Sequence, residues 1–213
     1  MELSPIQYFT ISIIPVLLAI TVHEAAHGYA AKYFGDKTAY FLGRITLNPI
    51  KHIDPIGTVV IPGMLLLLSA PFLFGWAKPV PVNFSNLNNP KKDMMWVALA
   101  GPASNLVMAI IWAIILGLFK SSGASYALFV IGMAQVGIMI NLVLMLLNLL
   151  PIPPLDGGRM AVSLLPSPWS YKLASIERYG MFILIFLIVS GLLSAILLPL
   201  LRFFQGTLIG IFV

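Results

Sequence analysis

The chain has 213 residues, of which 60% are hydrophobic and 9% charged; an ordinary soluble domain carries about 25% charged residues, so the composition points to a polytopic membrane protein. There is no cysteine, which excludes disulfides, thiolate metal sites and a cysteine nucleophile. The net charge of +5 sits in short stretches between apolar blocks, so it reads as a topology signal and not as a nucleic-acid surface.

The N-terminus has no basic n-region and no small-residue cleavage site, so it reads as mature sequence. Four segments are long and apolar enough to span a hydrocarbon core of about 30 Å. They are Ile6–Ala30, Met94–Phe119, Tyr126–Leu150 and Gly180–Leu201. A fifth apolar stretch, Ile56–Phe74, contains Pro62-Gly63 and Pro71. Proline breaks helical hydrogen bonding, so this stretch is either a fifth span or a re-entrant segment. Phe41–Asn48 and Trp76–Asn83 have strand character, and prolines in the second restrict it to an edge. The expected fold is all-α and polytopic, with about four spanning helices, a re-entrant or fifth segment and short membrane-associated β-strands. Residues 1–213 are expected to form one domain, with a core over about 6–159 and an extra C-terminal helix over about 180–201.

Ten of the twelve Lys and Arg residues lie in three connecting stretches; Lys120 and Arg202 lie elsewhere. If Ile56–Phe74 makes no net crossing, those ten share one face against two on the other. A full crossing would split them six and six. The positive-inside bias favours the re-entrant arrangement, with the N-terminus outside.

His23-Glu24-Ala25-Ala26-His27 lies near the end of the first predicted helix. Residues four apart share a helical face, so both imidazoles can reach one Zn²⁺, and the carboxylate between them can take a proton from water. Ionisable groups inside a span are costly without a partner or a wet cavity. This helix carries three within five residues, and two of the chain's three histidines. A catalytic zinc takes a third protein ligand. Asp156, in the run Asn148-Leu-Leu-Pro-Ile-Pro-Pro-Leu-Asp-Gly-Gly-Arg159, is the candidate, with an ordinary turn aspartate as the alternative. Gly157 and Gly158 are read as permitting a tight turn after it. Bringing His27 and Asp156 to one side needs an even number of crossings between them, which again leaves Ile56–Phe74 without a net crossing.

With HEAAH and the LDG run in order on separate helices, the sequence resembles the site-2 protease family of intramembrane zinc metalloproteases. Ala100-Gly-Pro-Ala-Ser-Asn105 resembles the glycine–proline turn that opens that family's middle core helix. The resemblance covers about Ile6 to Arg159 and leaves no room for a PDZ or nucleotide-sensing module. It implies zinc on His23, His27 and Asp156, with Glu24 as catalytic base. It also implies hydrolysis of peptide bonds in or near spanning segments of membrane-protein substrates in the lipid bilayer, as in regulated intramembrane proteolysis. The active site is expected toward the cytoplasmic side.

Asn148 is read as an oxyanion donor, with helix packing as its alternative. Asn105 and Asn141 are read as interhelical hydrogen-bonding residues. His52 and Asp54 are read as loop or gating residues ahead of rival metal ligands. Arg159 is read as pairing with Asp156 or with lipid phosphate. The competing function is a metal-binding or metal-transporting membrane protein, which would not need Glu24.

Overall fold

A computed structural model describes residues 5–68, 75–122 and 126–213. Helices α1 (Pro5–Tyr33), α2 (Thr38–Phe41), α3 (Ile61–Leu67), α4 (Pro90–Lys120), α5 (Ala127–Asn148), α6 (Asp156–Leu164), α7 (Trp169–Ser175), α8 (Gly180–Val189) and α9 (Leu192–Phe212) follow in chain order. Four of them, α1, α4, α5 and α9, are long and apolar enough to cross a membrane. In lipid a helix satisfies its own backbone, and helices then associate through close packing and interhelical hydrogen bonds. The sequence supplies small residues for this purpose. Ala109 and Ala113 of α4 and Ala134 of α5 are fully buried beside Trp112, Ile138, Leu142 and, from α9, Leu197, Leu201 and Leu208. Gly137 lets α5 approach the Trp112 ring, where an added Cβ would come within 2.4 Å. α1 packs against both α4 and α5.

The first three spans fall where expected, and the fourth does not. Gly191 adopts φ +75°, the left-handed region that favours glycine, and it divides the apolar run into α8 and α9. The fourth span is therefore Leu192–Phe212 and not Gly180–Leu201. It continues through Pro199 and Arg202, so Arg202 belongs to a spanning helix and not to a connecting loop. The α9 C-terminus meets the end of α4: Lys120 Nζ donates to the Val213 carbonyl at 3.4 Å.

The apolar stretch after Asp54 opens with one π-helical turn, Pro55–Val60, and the short α3; the remainder of Ile56–Phe74 from residue 69 lies outside the described residues. The chain returns to where it left. Trp76 N–H donates to the Gly57 carbonyl at 3.1 Å, and the Thr58 hydroxyl donates to the Trp76 carbonyl at 2.8 Å. The two ends of the excursion touch, as a re-entrant segment requires.

The expected strands do not form: there is no β-strand among the described residues. Pro79 and Pro81 have no N–H to give a ladder. The remaining groups of Trp76–Asn83 bond mostly outside any ladder. The Arg44 guanidinium donates to the Lys78 and Pro79 carbonyls at 3.1 and 3.2 Å, and Lys78 N–H donates to the His52 carbonyl at 2.9 Å. Asn83 N–H donates to Asp36 at 2.7 Å. The result is an extended strap tied across the end of α1. Burial alone would raise the Asp36 carboxyl. Hydrogen bonds from Thr38, Asn83 and Asn86 outweigh it and hold the group below its ordinary range, as a carboxylate anchoring the strap's far end.

Candidate metal centre

His23 and His27 lie six to ten residues before the end of α1, about 9–15 Å along its axis. α5 ends at Asn148, and the proline-rich run then turns the chain so that Asp156 opens α6. The two glycines after it are the first turn of that helix. They serve close approach and not a tight turn. A Cβ on Gly157 would stand 2.3 Å from the Leu149 carbonyl oxygen, and one on Gly158 would stand 2.2 Å from Pro153 N. α6 is fixed to the start of α4 by the Ser163 hydroxyl on the Lys91 carbonyl and by Lys91 Nζ on the Leu165 carbonyl.

Three ligand atoms from the two distant motifs converge. His23 Nε2 and His27 Nε2 are 3.1 Å apart, and they lie 3.3 and 3.2 Å from Asp156 Oδ2. This is a nearly equilateral triangle. A tetrahedral zinc with nitrogen and oxygen ligands at about 2.0–2.1 Å separates them by about 3.3 Å. The second nitrogen of each imidazole is engaged elsewhere. His23 Nδ1 donates to Asn105 Oδ1 at 2.6 Å, and His27 Nδ1 donates to the Val97 carbonyl at 2.7 Å. Those bonds place both Nε2 lone pairs on the shared point, as is usual for metal-binding histidines. Asp156 Oδ2 is buried with no hydrogen-bond partner. The donor set therefore fits zinc, and among the described residues these three form the group able to hold a metal.

Glu24 lies between the two histidines on α1, and its Oε2 accepts from the Val80 N–H at 2.7 Å. The remaining candidates fall into supporting places. His52 is buried, with Nε2 on the Thr46 carbonyl at 2.9 Å, and is not one of the converging ligands. Asp54 caps the turn after it by accepting from the Ile56 and Gly57 amides. The Asn148 amide donates to Leu144 in its own helix at 2.9 Å. Arg159 faces Glu177 at 3.8 Å and the Phe84 ring at 5.2 Å, and not Asp156.

Two contributors escaped the sequence reading. Asn105 does bond between helices, to the Ala19 carbonyl and to Asn141, but it also orients His23. Gly101-Pro102 does not open a helix; it lies inside α4, where Gly101 is the surface on which both imidazoles rest. Replacing Asn105 by leucine leaves the His23 Nδ1–H buried without an acceptor. Zinc affinity is then expected to fall about 10- to 100-fold, measured by chelator competition on the purified protein.

Residues 115–191, which include Asp156, match the family model described as Peptidase family M50. The chain is 40% identical to the Bacillus subtilis protein named "Putative zinc metalloprotease YwhC", over 96% of this chain and 94% of that one. It is 30% identical to the Mycolicibacterium smegmatis protein named "Putative zinc metalloprotease Rip2", over 89% of this chain and 72% of the other. The Methanocaldococcus jannaschii protein named "Putative zinc metalloprotease MJ0611" is 28% identical over 71% of this chain and 69% of its own. No solved structure matches. On its motifs, its spanning helices and these relatives, the chain belongs to peptidase family M50, the site-2 protease family, and is a multi-pass membrane zinc metallopeptidase.

Proposed function

We propose that residues 1–213 act as a single intramembrane peptidase domain that hydrolyses peptide bonds in or near the spanning segments of membrane-protein substrates. In this reading His23, His27 and Asp156 hold zinc, Glu24 is the general acid–base and Asn148 is an oxyanion donor. The observation that carries it is the triangle of Nε2, Nε2 and Oδ2 atoms, drawn from two helices and aimed at one point inside the bundle. Ligands for a transported metal would be spread along a path, whereas these converge beside a carboxylate.

Zinc held there supplies a Lewis acid and a water of lowered pKa. Glu24 takes the water proton as the nucleophile adds to the scissile carbonyl, and returns it to the leaving amine. Asn148 steadies the developing oxyanion with an amide N–H; its NH2 group has two, and one bond from it goes to the Leu144 carbonyl. The proposed orientation puts the N-terminus outside and the site toward the cytoplasm. The ten cationic residues in the three connecting stretches support it, as do the contacts of Trp76 with Gly57 and Thr58, which in this reading leave Ile56–Phe74 without a net crossing.

The test is Asp156→Ala, purified in detergent beside wild type. Wild type is expected to carry about one zinc and to cut a membrane-spanning reporter peptide. The variant is expected to lose both, since two imidazoles alone make a weak site. A variant that keeps full zinc would remove Asp156 from the ligand set.

A further inference from the structure

The strap over Trp76–Asn83 reaches Glu24 through the backbone N–H of Val80. We propose that this amide is a positioning group for Glu24: it fixes one carboxylate oxygen so that the other is presented to the water. The proposal rests on Glu24 being the base.

Three observations converge on it. First, the Val80 N–H to Glu24 Oε2 distance is 2.7 Å, in the range of a charge-assisted hydrogen bond. A glutamate on a helix otherwise has three torsions to order before it can act, and a near-attack geometry depends on their being ordered in advance. Second, the strap is held in place at that point. Trp76, Lys78 and Asn83 amides are bonded to Gly57, His52 and Asp36, and Arg44 clamps the Lys78 and Pro79 carbonyls from the other direction. Third, α1 is shaped to receive it. Gly28 lies one turn beyond Glu24 on the same face, and a Cβ there would come 3.2 Å from Val80 Cγ1 and 2.9 Å from Ile45 Cγ1. Val80 itself is 7% exposed.

The flanking prolines sharpen the assignment. In Pro79-Val80-Pro81 the amide of Val80 is the sole backbone donor, and it is on Glu24. A substrate strand pairing with this part of the strap would have to take that donor away from the carboxylate. Holding the base and pairing with substrate are therefore exclusive uses of one N–H, and kinetics separate them.

The chain contains three Pro-Val pairs, ending at Val16, Val80 and Val82. Protein labelled with carbonyl-¹³C proline and ¹⁵N valine reports those three amides alone. In the zinc-loaded protein, Glu24→Ala is expected to move the Val80 amide proton upfield and leave Val16 and Val82 in place. An unmoved Val80 signal overturns the contact, whatever the enzyme cuts. In reporter cleavage, Val80→Pro is expected to lower kcat about 10- to 100-fold with KM unchanged, while Val82→Pro, a second proline in the same strap, keeps wild-type kcat and KM. A raised KM at wild-type kcat would assign the amide to substrate and overturn the proposal, as would wild-type values for both. If Val80→Pro does not fold, the labelled-amide shift alone decides. If Glu24→Gln cuts as well as wild type, the base assignment fails, and the amide contact is still judged separately.

Discussion

Glu24→Gln is expected to keep its zinc and lose its activity. The substitution preserves volume and leaves His23, His27 and Asp156 untouched. The Gln carbonyl can still accept from Val80, where Glu24 Oε2 does now. What it removes is a group able to carry a proton from water to the leaving amine. General acid–base groups contribute about 10²- to 10⁴-fold, or about 3–5 kcal/mol of barrier. The check is zinc content by atomic emission beside the turnover number on a membrane-spanning reporter. A variant that binds about one zinc and turns over within a few-fold of wild type would show that the proton moves by another route. Loss of zinc with activity would mean that Glu24 has a structural part in the site, through the strap it anchors.

The sequence carries half of this site openly and hides the other half. HEAAH is legible because helical periodicity alone puts positions 23 and 27 on one face, and polar groups inside a span demand an explanation. Asp156 is legible through its proline-rich approach, which stops α5 and delivers the carboxylate at the start of α6. The supporting residues are hidden because their reasons lie across helices. Nothing near Asn105 says that its carbonyl meets His23 Nδ1, and nothing near Gly101 says that imidazoles stand over it. The Glu24–Val80 bond joins positions 56 apart in sequence.

Local pattern also misleads in two places. Alternation in Phe41–Asn48 and Trp76–Asn83 suggests strands, but two prolines and an arginine side chain redirect the hydrogen bonds that would make a ladder. A continuous apolar run from Gly180 suggests one helix, but Gly191 turns it. A hydropathy average does not register a backbone angle. It also places a helix end at Arg202, although an arginine within a span can extend its long side chain toward the interface.

Gly101→Ala is expected to damage the site directly, through the imidazoles themselves. A Cβ at this position would stand 2.4 Å from His27 Nε2 and 2.6 Å from both His23 Cε1 and His27 Cε1. The nearest of these is a zinc-ligand atom in the proposed site, so the clash cannot be relieved at the end of a flexible chain. Either α4 retreats from α1 or the imidazoles rotate. Rotation breaks the bonds from His23 to Asn105 and from His27 to Val97, which now aim the rings. Retreat opens the packed interface beneath them. Overpacking of this kind costs about 1–3 kcal/mol, and disturbed orienting bonds cost about 10- to 100-fold in metal affinity. Gly206→Ala is the matched control, because a Cβ on Gly206 meets nothing within 4 Å. Chelator titration and thermal unfolding of the two variants beside wild type separate the outcomes. Gly101→Ala should release zinc at lower chelator concentration and unfold earlier, and Gly206→Ala should follow wild type in both. If Gly101→Ala holds zinc as tightly as wild type, the imidazoles do not rest on α4 as described, and the close approach of α1 to α4 is not what sets the geometry of the metal centre.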